Sequence, residues 1–218
     1  YSDTPEQLRH TIANYYSMIS LVDHNVGRIL LALDSMGLAE NTLVVFTSDH
    51  GDWLGDHGFL SKGPLLYEGL VRVGLIVRGP GVPEGKIVDQ PVATTDFHAT
   101  IMDSAGVSAG KETHSQSLWP LLTNHDATRD FAYGEWDLDK NGWGLDLKLR
   151  LVRTQHHKLI LEENTGAGEM YDLREDPHEM DNLFDNHSHA NLRKELTDMI
   201  RSRPNDAMDL VPPATGLY

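Results

Sequence analysis

Between Thr4 and Gly37 the apolar residues Leu8, Ile12, Tyr15, Ile19, Val22, Val26, Ile29 and Leu33 recur at alternating steps of four and three. That spacing keeps all eight on one face of an α-helix of roughly eight turns, and no strand pattern accommodates it. Thr4 can N-cap this helix, Pro5 suits the first helical position and Gln7 completes a Thr-x-x-Gln capping box. Gly37 is a natural stop. A helix of this length with one apolar stripe has to lie on another layer, so the stripe reads as core packing rather than as a membrane-surface face. Gly27 inside it costs about 1 kcal/mol relative to Ala, a penalty that a close approach to a sheet would offset.

Leu43–Thr47 is a short continuous apolar run and predicts a strand buried on both faces, the pattern of parallel sheets. A second run, Val73–Val77, is closed by the turn Gly79-Pro80-Gly81. Thr94-Thr95-Asp96 predicts the start of another helix running to about Ala105 and ended by Gly106. The order predicts an α/β fold with a sheet and flanking helices. From about residue 130 the texture changes to short strand-like pieces, 131–136, 147–154, 158–161 and 170–173, with Asn141-Gly142 and Thr165-Gly166 as turns. These predict a small antiparallel sheet, followed by a helix over 191–201 and an extended tail from Asp209. The expected division is therefore 1–128 for the α/β part and 129–218 for an antiparallel subdomain.

Composition narrows the function classes. The 218 residues carry a net charge of −15, which argues against nucleic acid as a partner because phosphate contacts need clustered Lys and Arg. No run of about 18 apolar residues predicts a membrane span. With no cysteine, the chain offers no disulfide, no thiolate zinc site and no cysteine nucleophile, while 12 His and 33 acidic residues supply nitrogen and oxygen metal donors. Tyr1 in place of an initiating Met reads as a piece of a longer protein. Compartment stays open between bacterial cytoplasm and periplasm, and oligomerisation is compatible with the sequence.

The chemistry-bearing segment is Thr47-Ser48-Asp49-His50-Gly51-Asp52-Trp53-Leu54-Gly55-Asp56-His57-Gly58, followed by Ser61-Lys62-Gly63-Pro64. It leaves the C-terminal end of a predicted strand, where open α/β sheets bind ligands. Asp49 offers a hard oxygen and His50 a borderline nitrogen, a pair suited to Ca²⁺, Mn²⁺ or Zn²⁺ that needs further ligands from elsewhere. Lys62 adds a positive charge nearby, and a cation with an ammonium in one pocket describes a site for a transferring sulfuryl or phosphoryl group. Taken singly, each feature has a blander reading: Asp-His-Gly as a turn, Asp52 and Asp56 as solvated loop acids, Lys62 as a surface lysine. His57 divides evenly between a hydrogen-bonding support of the site and a plain loop residue.

Several blocks together carry a resemblance. Tyr15–Leu30 resembles the long helix of the sulfatase family, of the alkaline-phosphatase-like superfamily. Asn41–Asp52, with Leu54-Gly55-Asp56-His57-Gly58 and Lys62-Gly63-Pro64, resembles the family's metal strand and following loop. Tyr67-Glu68, Arg72-Val73, Leu75–Gly81, Thr95-Asp96, Ser117–Leu122, Val152-Arg153-Thr154, Lys158-Leu159-Ile160, Glu169–Leu173 and Asp176–Glu179 continue it in order. The Asp-His form is most similar to the bacterial branch of arylsulfatases, choline sulfatases and phosphonate monoester hydrolases.

The resemblance implies that Asp49 and His50 are two ligands of a single divalent cation, usually Ca²⁺ or Mn²⁺. It implies that Lys62 contacts the sulfate or phosphate and the leaving-group oxygen, and that His57 occupies a motif position in the same site. The family's nucleophile is a formylglycine made from Cys or Ser in Cys/Ser-x-Pro-x-Arg, a motif with no match here. The early Asp pair and a substrate-binding His of the family also lack counterparts. The expected reading is the C-terminal portion of a sulfatase-like enzyme, acting on a small-molecule sulfate or phosphonate ester. It would partner an N-terminal half that carries the formylglycine, and the 218 residues alone would not turn over substrate. Two readings compete. One is a two-zinc phosphodiesterase, for which His98, His114 and His156 or His157 are formal further ligands. The other is a non-catalytic structural fragment.

Overall fold

The computed structural model describes residues 4–108, 110, 113–124, 127–138 and 144–202. The chain divides into two compact units, Tyr1–Lys86 and Ile87–Tyr218.

The first unit opens with helix α1, Pro5–Ser35. Its start is the predicted capping box: Gln7 N–H donates to Thr4 Oγ1 at 3.3 Å and Thr4 N–H to Gln7 Oε1 at 2.7 Å. The helix ends at Met36, with Gly37 in the left-handed region at φ 68°. The stripe is half-covered at Leu8, Ile12, Tyr15, Val26 and Leu33, yet no residue of α1 is buried, and Ile19, Val22 and Ile29 stay at least half exposed. Core packing of the stripe is therefore corrected to partial contact within this unit. No atom lies within 4 Å of a Cβ built on Gly27, so the expected close approach is also absent among the described residues.

Strand β1, Val44–Thr47, pairs antiparallel with β2, Leu75–Arg78, in the register Val44↔Arg78 to Thr47↔Leu75. The parallel, doubly buried strand predicted over 43–47 is thus corrected: the pairing is antiparallel, and Phe46 and its partner Ile76 are exposed on one face. The period-two pleat puts Val45, Thr47, Leu75 and Val77 on the other, half-covered face. Between the strands run a long loop and the short helix α2, Glu68–Val71. Asp34 at the end of α1 accepts from Arg78 at the end of β2 at 3.4 Å, joining helix and ribbon.

In the second unit, α3 (Asp96–Ser104) and α4 (Trp119–Thr123) precede a four-stranded meander. Its strands are β3 (Phe131–Leu138), β4 (Leu147–Thr154), β5 (His157–Glu162) and β6 (Gly168–Asp172), antiparallel in that order. The sheet predicted from the short strand pieces is present; the Asn141-Gly142 turn and the tail from Asp209 lie outside the described residues. Helix α5, Ala190–Arg201, places Leu192, Leu196, Met199 and Ile200 on one side. Leu196 and Ile200 close a core with Val152, Leu159 and Met170, each of the five no more than 4 % exposed.

Buried charged side chains brace this unit. Asp96, 1 % exposed, accepts from the backbone N–H of Ala93 at 2.8 Å and of Gln116 at 3.0 Å, and pairs with Arg129. Arg150 lies under the carboxylates of Asp137, Glu163 and Glu135. Lys158 meets Glu179 at 2.6 Å with both side chains buried.

Candidate functional site

The site begins where β1 ends. Backbone groups set Asp49 and His50: Ser48 Oγ donates to the His50 carbonyl at 2.8 Å, and His50 N–H donates to Asp49 Oδ1 at 3.0 Å. That backbone donor, with the His50 ring as the next cause, holds the Asp49 carboxyl below its ordinary value. The Asp49 side chain is 86 % exposed and its Oδ2 stands 3.7 Å from His50 Nε2, so the two donor atoms are neighbours on an open face.

The partners of His50 assign its tautomer. Nδ1 lies 2.8 Å from the carbonyl oxygen of Gly51, which can only accept, so Nδ1 carries the proton. Nε2 is left with its lone pair, and the Lys62 ammonium, which can only donate, sits 3.0 Å from it. Of the four residues singled out in the sequence, three therefore converge: Asp49, His50 and Lys62. His57 is placed otherwise. Its backbone is left-handed at φ 53° and its ring stacks on Tyr67 at 3.8 Å and 6°.

The loop that carries Lys62 is held by backbone hydrogen bonds and a buried ring. Asp52 Oδ1 accepts from Leu54 N–H at 2.9 Å and from Ser61 N–H at 3.0 Å, so Asp52 is corrected from a solvated acid to a brace across the loop. Trp53, 4 % exposed, packs on Phe59 at 5.2 Å between ring centroids, and its backbone N–H donates to the Ser61 carbonyl at 3.2 Å. Gly51 N–H donates to the Leu70 carbonyl at 2.7 Å. Neither the Asp52 brace nor the Gly51 contact is legible from residue type, because both depend on backbone groups that the loop brings together.

A carboxylate oxygen and an imidazole nitrogen have the donor chemistry that a divalent cation takes, and here the Lys62 ammonium occupies the nitrogen's lone pair. Among the described residues no group of three or more His, Asp or Glu side chains could hold a metal ion. His156 and His157 meet edge to face at 6.5 Å on the β4–β5 side of the second unit.

An exposed carboxylate, an oriented imidazole and an ammonium thus stand together at a strand exit, and comparison with known proteins gives the family in which they occur. The model for N-sulphoglucosamine sulphohydrolase, C-terminal, matches residues 55–206, and the sulfatase model matches residues 1–107. The chain belongs to the sulfatase family. It is similar to an arylsulfatase of Clostridium perfringens, 33% identical, covering 89% of this chain and 39% of that protein. It is also similar to an N-acetylglucosamine-6-O-sulfatase of Bacteroides thetaiotaomicron, 32% identical over 91% of this chain and 36% of that one. Among solved structures, the phosphonate monoester hydrolase of Agrobacterium radiobacter superposes with a TM-score of 0.82 at 31% identity, over 91% of this chain and 42% of that one. The chain thus spans less than half the length of these relatives. The likeness bears out the α/β, alkaline-phosphatase-like fold read from the sequence. No described helix is long and apolar enough to cross a membrane.

Proposed function

We propose that this chain supplies part of the active site of a sulfuric ester hydrolase. The observation that carries the reading is the convergence of Asp49, His50 and Lys62 at the exit of β1. Its chemistry suits a substrate that arrives as an anion and leaves as a more highly charged one. Asp49 and His50 would hold one divalent cation, Ca²⁺ or Mn²⁺, which when bound polarises a non-bridging oxygen of the ester. The Nδ1–H bond to Gly51 keeps the His50 lone pair directed at that position. Lys62 donates to the leaving oxygen or to the transferred group, stabilising charge that develops as the ester bond breaks. The attacking group would be a formylglycine belonging to the part of the sulfatase fold outside these residues, so the 218 residues alone would be inactive.

A small sulfate ester is the preferred substrate class, supported by relatives named for aryl sulfate and sulfated amino-sugar chemistry. The structural likeness to a phosphonate monoester hydrolase favours a second reading, hydrolysis of phosphonate monoesters by the same groups. The test is steady-state kinetics of the full-length protein on an aryl sulfate and an aryl phosphonate, before and after chelation and on reloading Ca²⁺ or Mn²⁺. Turnover lost on chelation, restored by cation and abolished in His50→Ala is expected. Undiminished turnover in His50→Ala overturns the reading.

A further inference from the structure

Glycine at position 51 is required by contact rather than by backbone angle. Gly51 is not among the residues with positive φ. A Cβ built on it would stand 2.0 Å from the Gly69 carbonyl oxygen, 3.1 Å from the Gly69 carbonyl carbon and 3.3 Å from Leu70 Cα. All three are backbone atoms of α2, so no side-chain rotation relieves the clash. In this close approach both polar backbone groups of Gly51 are used. Its N–H donates to the Leu70 carbonyl at 2.7 Å, and its C=O accepts from His50 Nδ1 at 2.8 Å. Leu70 is 2 % exposed, which anchors the far end of the chain of contacts in the unit's interior.

We propose that Gly51 is the positioning residue of the site: clamped to α2 through the Leu70 carbonyl, it fixes His50 in the Nδ1–H tautomer with Nε2 facing Asp49 and Lys62. The weight of the inference for catalysis rests on the reading of His50 as a cation ligand, and the clamp itself is tested apart from it. A carbonyl that sets the protonated nitrogen of a ligand imidazole controls ring orientation, and losing such a partner weakens cation affinity roughly ten- to hundred-fold. Gly69 provides the contrast. Its Cβ would meet nothing nearer than Asp56 Oδ2 at 3.4 Å, an ordinary contact, so alanine is tolerated there.

The experiment is two-bond proton–nitrogen correlation spectroscopy of the full-length protein labelled with ¹⁵N-histidine, in buffer about two pH units above the ordinary imidazole value. His50→Gln assigns the signal, and Mn²⁺ titration is run on the same samples. Wild type and Gly69→Ala are expected to show His50 with Nδ1 protonated and equal Mn²⁺ affinity. Gly51→Ala is expected to show mixed tautomers and Mn²⁺ affinity at least tenfold weaker. An Nε2-protonated His50 in wild type overturns the proposal, a result that does not depend on Gly51→Ala folding. So does a folded Gly51→Ala with the wild-type tautomer and affinity. If the clamp behaves as expected but Mn²⁺ binds to none of the variants, the clamp stands and the cation reading falls.

Discussion

The Lys62 ammonium donates to the Nε2 lone pair of His50 at 3.0 Å. That lone pair is also what a divalent cation would take, so one substitution should move binding and catalysis in opposite directions. Two unit charges about 4 Å apart in water repel by about 1 kcal/mol, and a dication doubles this. In the full-length protein Lys62→Met is expected to bind Mn²⁺ about tenfold more tightly in calorimetric titration. In the full-length protein the same variant should lose roughly 10²–10³ in kcat, the usual effect of removing one charge-stabilising donor. Weaker Mn²⁺ binding in Lys62→Met would show that the ammonium does not compete for His50.

The buried pair Lys158–Glu179 predicts an asymmetric stability cycle. Removing one partner leaves an uncompensated charge in the interior, at a cost of about 3–5 kcal/mol. Lys158→Met and Glu179→Gln are each expected to lower the urea midpoint strongly, and the double variant should recover much of the loss. Two singles within about 1 kcal/mol of wild type would show that water or another group solvates the survivor.

Acid should loosen the β5–β6 turn through Glu162. Its carboxyl accepts from Thr165 Oγ1 at 2.6 Å and from the backbone N–H groups of Thr165, Asn164 and Lys148. The Thr165 hydroxyl is the chief cause that holds it down at about 2, against an ordinary value of 4.5. A depressed folded value means that this stabilisation is complete above the unfolded value and is lost as pH falls from about 4.5 towards 2. Glu162→Gln is expected to flatten the pH dependence of thermal unfolding across that window, and an unchanged slope would refute the assignment.

Gly168 predicts a steric result. A Cβ there would lie 2.4 Å from Phe184 Cε2 and 2.7 Å from Cδ2. The ring packs on the core and carries the Arg193 guanidinium 5.0 Å from its centroid, so it cannot simply swing away. Gly168→Ala should cost about 1–3 kcal/mol in chemical denaturation, with partial rescue by Phe184→Leu. A neutral Gly168→Ala would place the ring differently in solution.

What the sequence disclosed followed from period and punctuation. The 4–3 stripe and the Thr4–Gln7 box gave α1 to the residue at its start, and the four strand pieces gave the meander. Asp49, His50 and Lys62 stood out because their types and spacing match a chemistry, and the structure brings the three together. The direction of β2 relative to β1 was not legible, since an apolar run carries no sign of its partner's orientation. Nor was the role of Asp52, whose acceptor geometry depends on Leu54 and Ser61 folding back around it. His57 showed its motif position but not its stacking on Tyr67, which joins residues ten apart through a left-handed turn.

Trp53 sits sealed beneath the same loop that presents Lys62, against Phe59 and the Gly63 backbone. Nature has in effect installed an optical probe there. Emission from an indole so shielded is expected at short wavelength and inaccessible to iodide. With the other three tryptophans replaced by Phe, any event that lifts the loop would redden it, giving a readout of the segment in stopped-flow work.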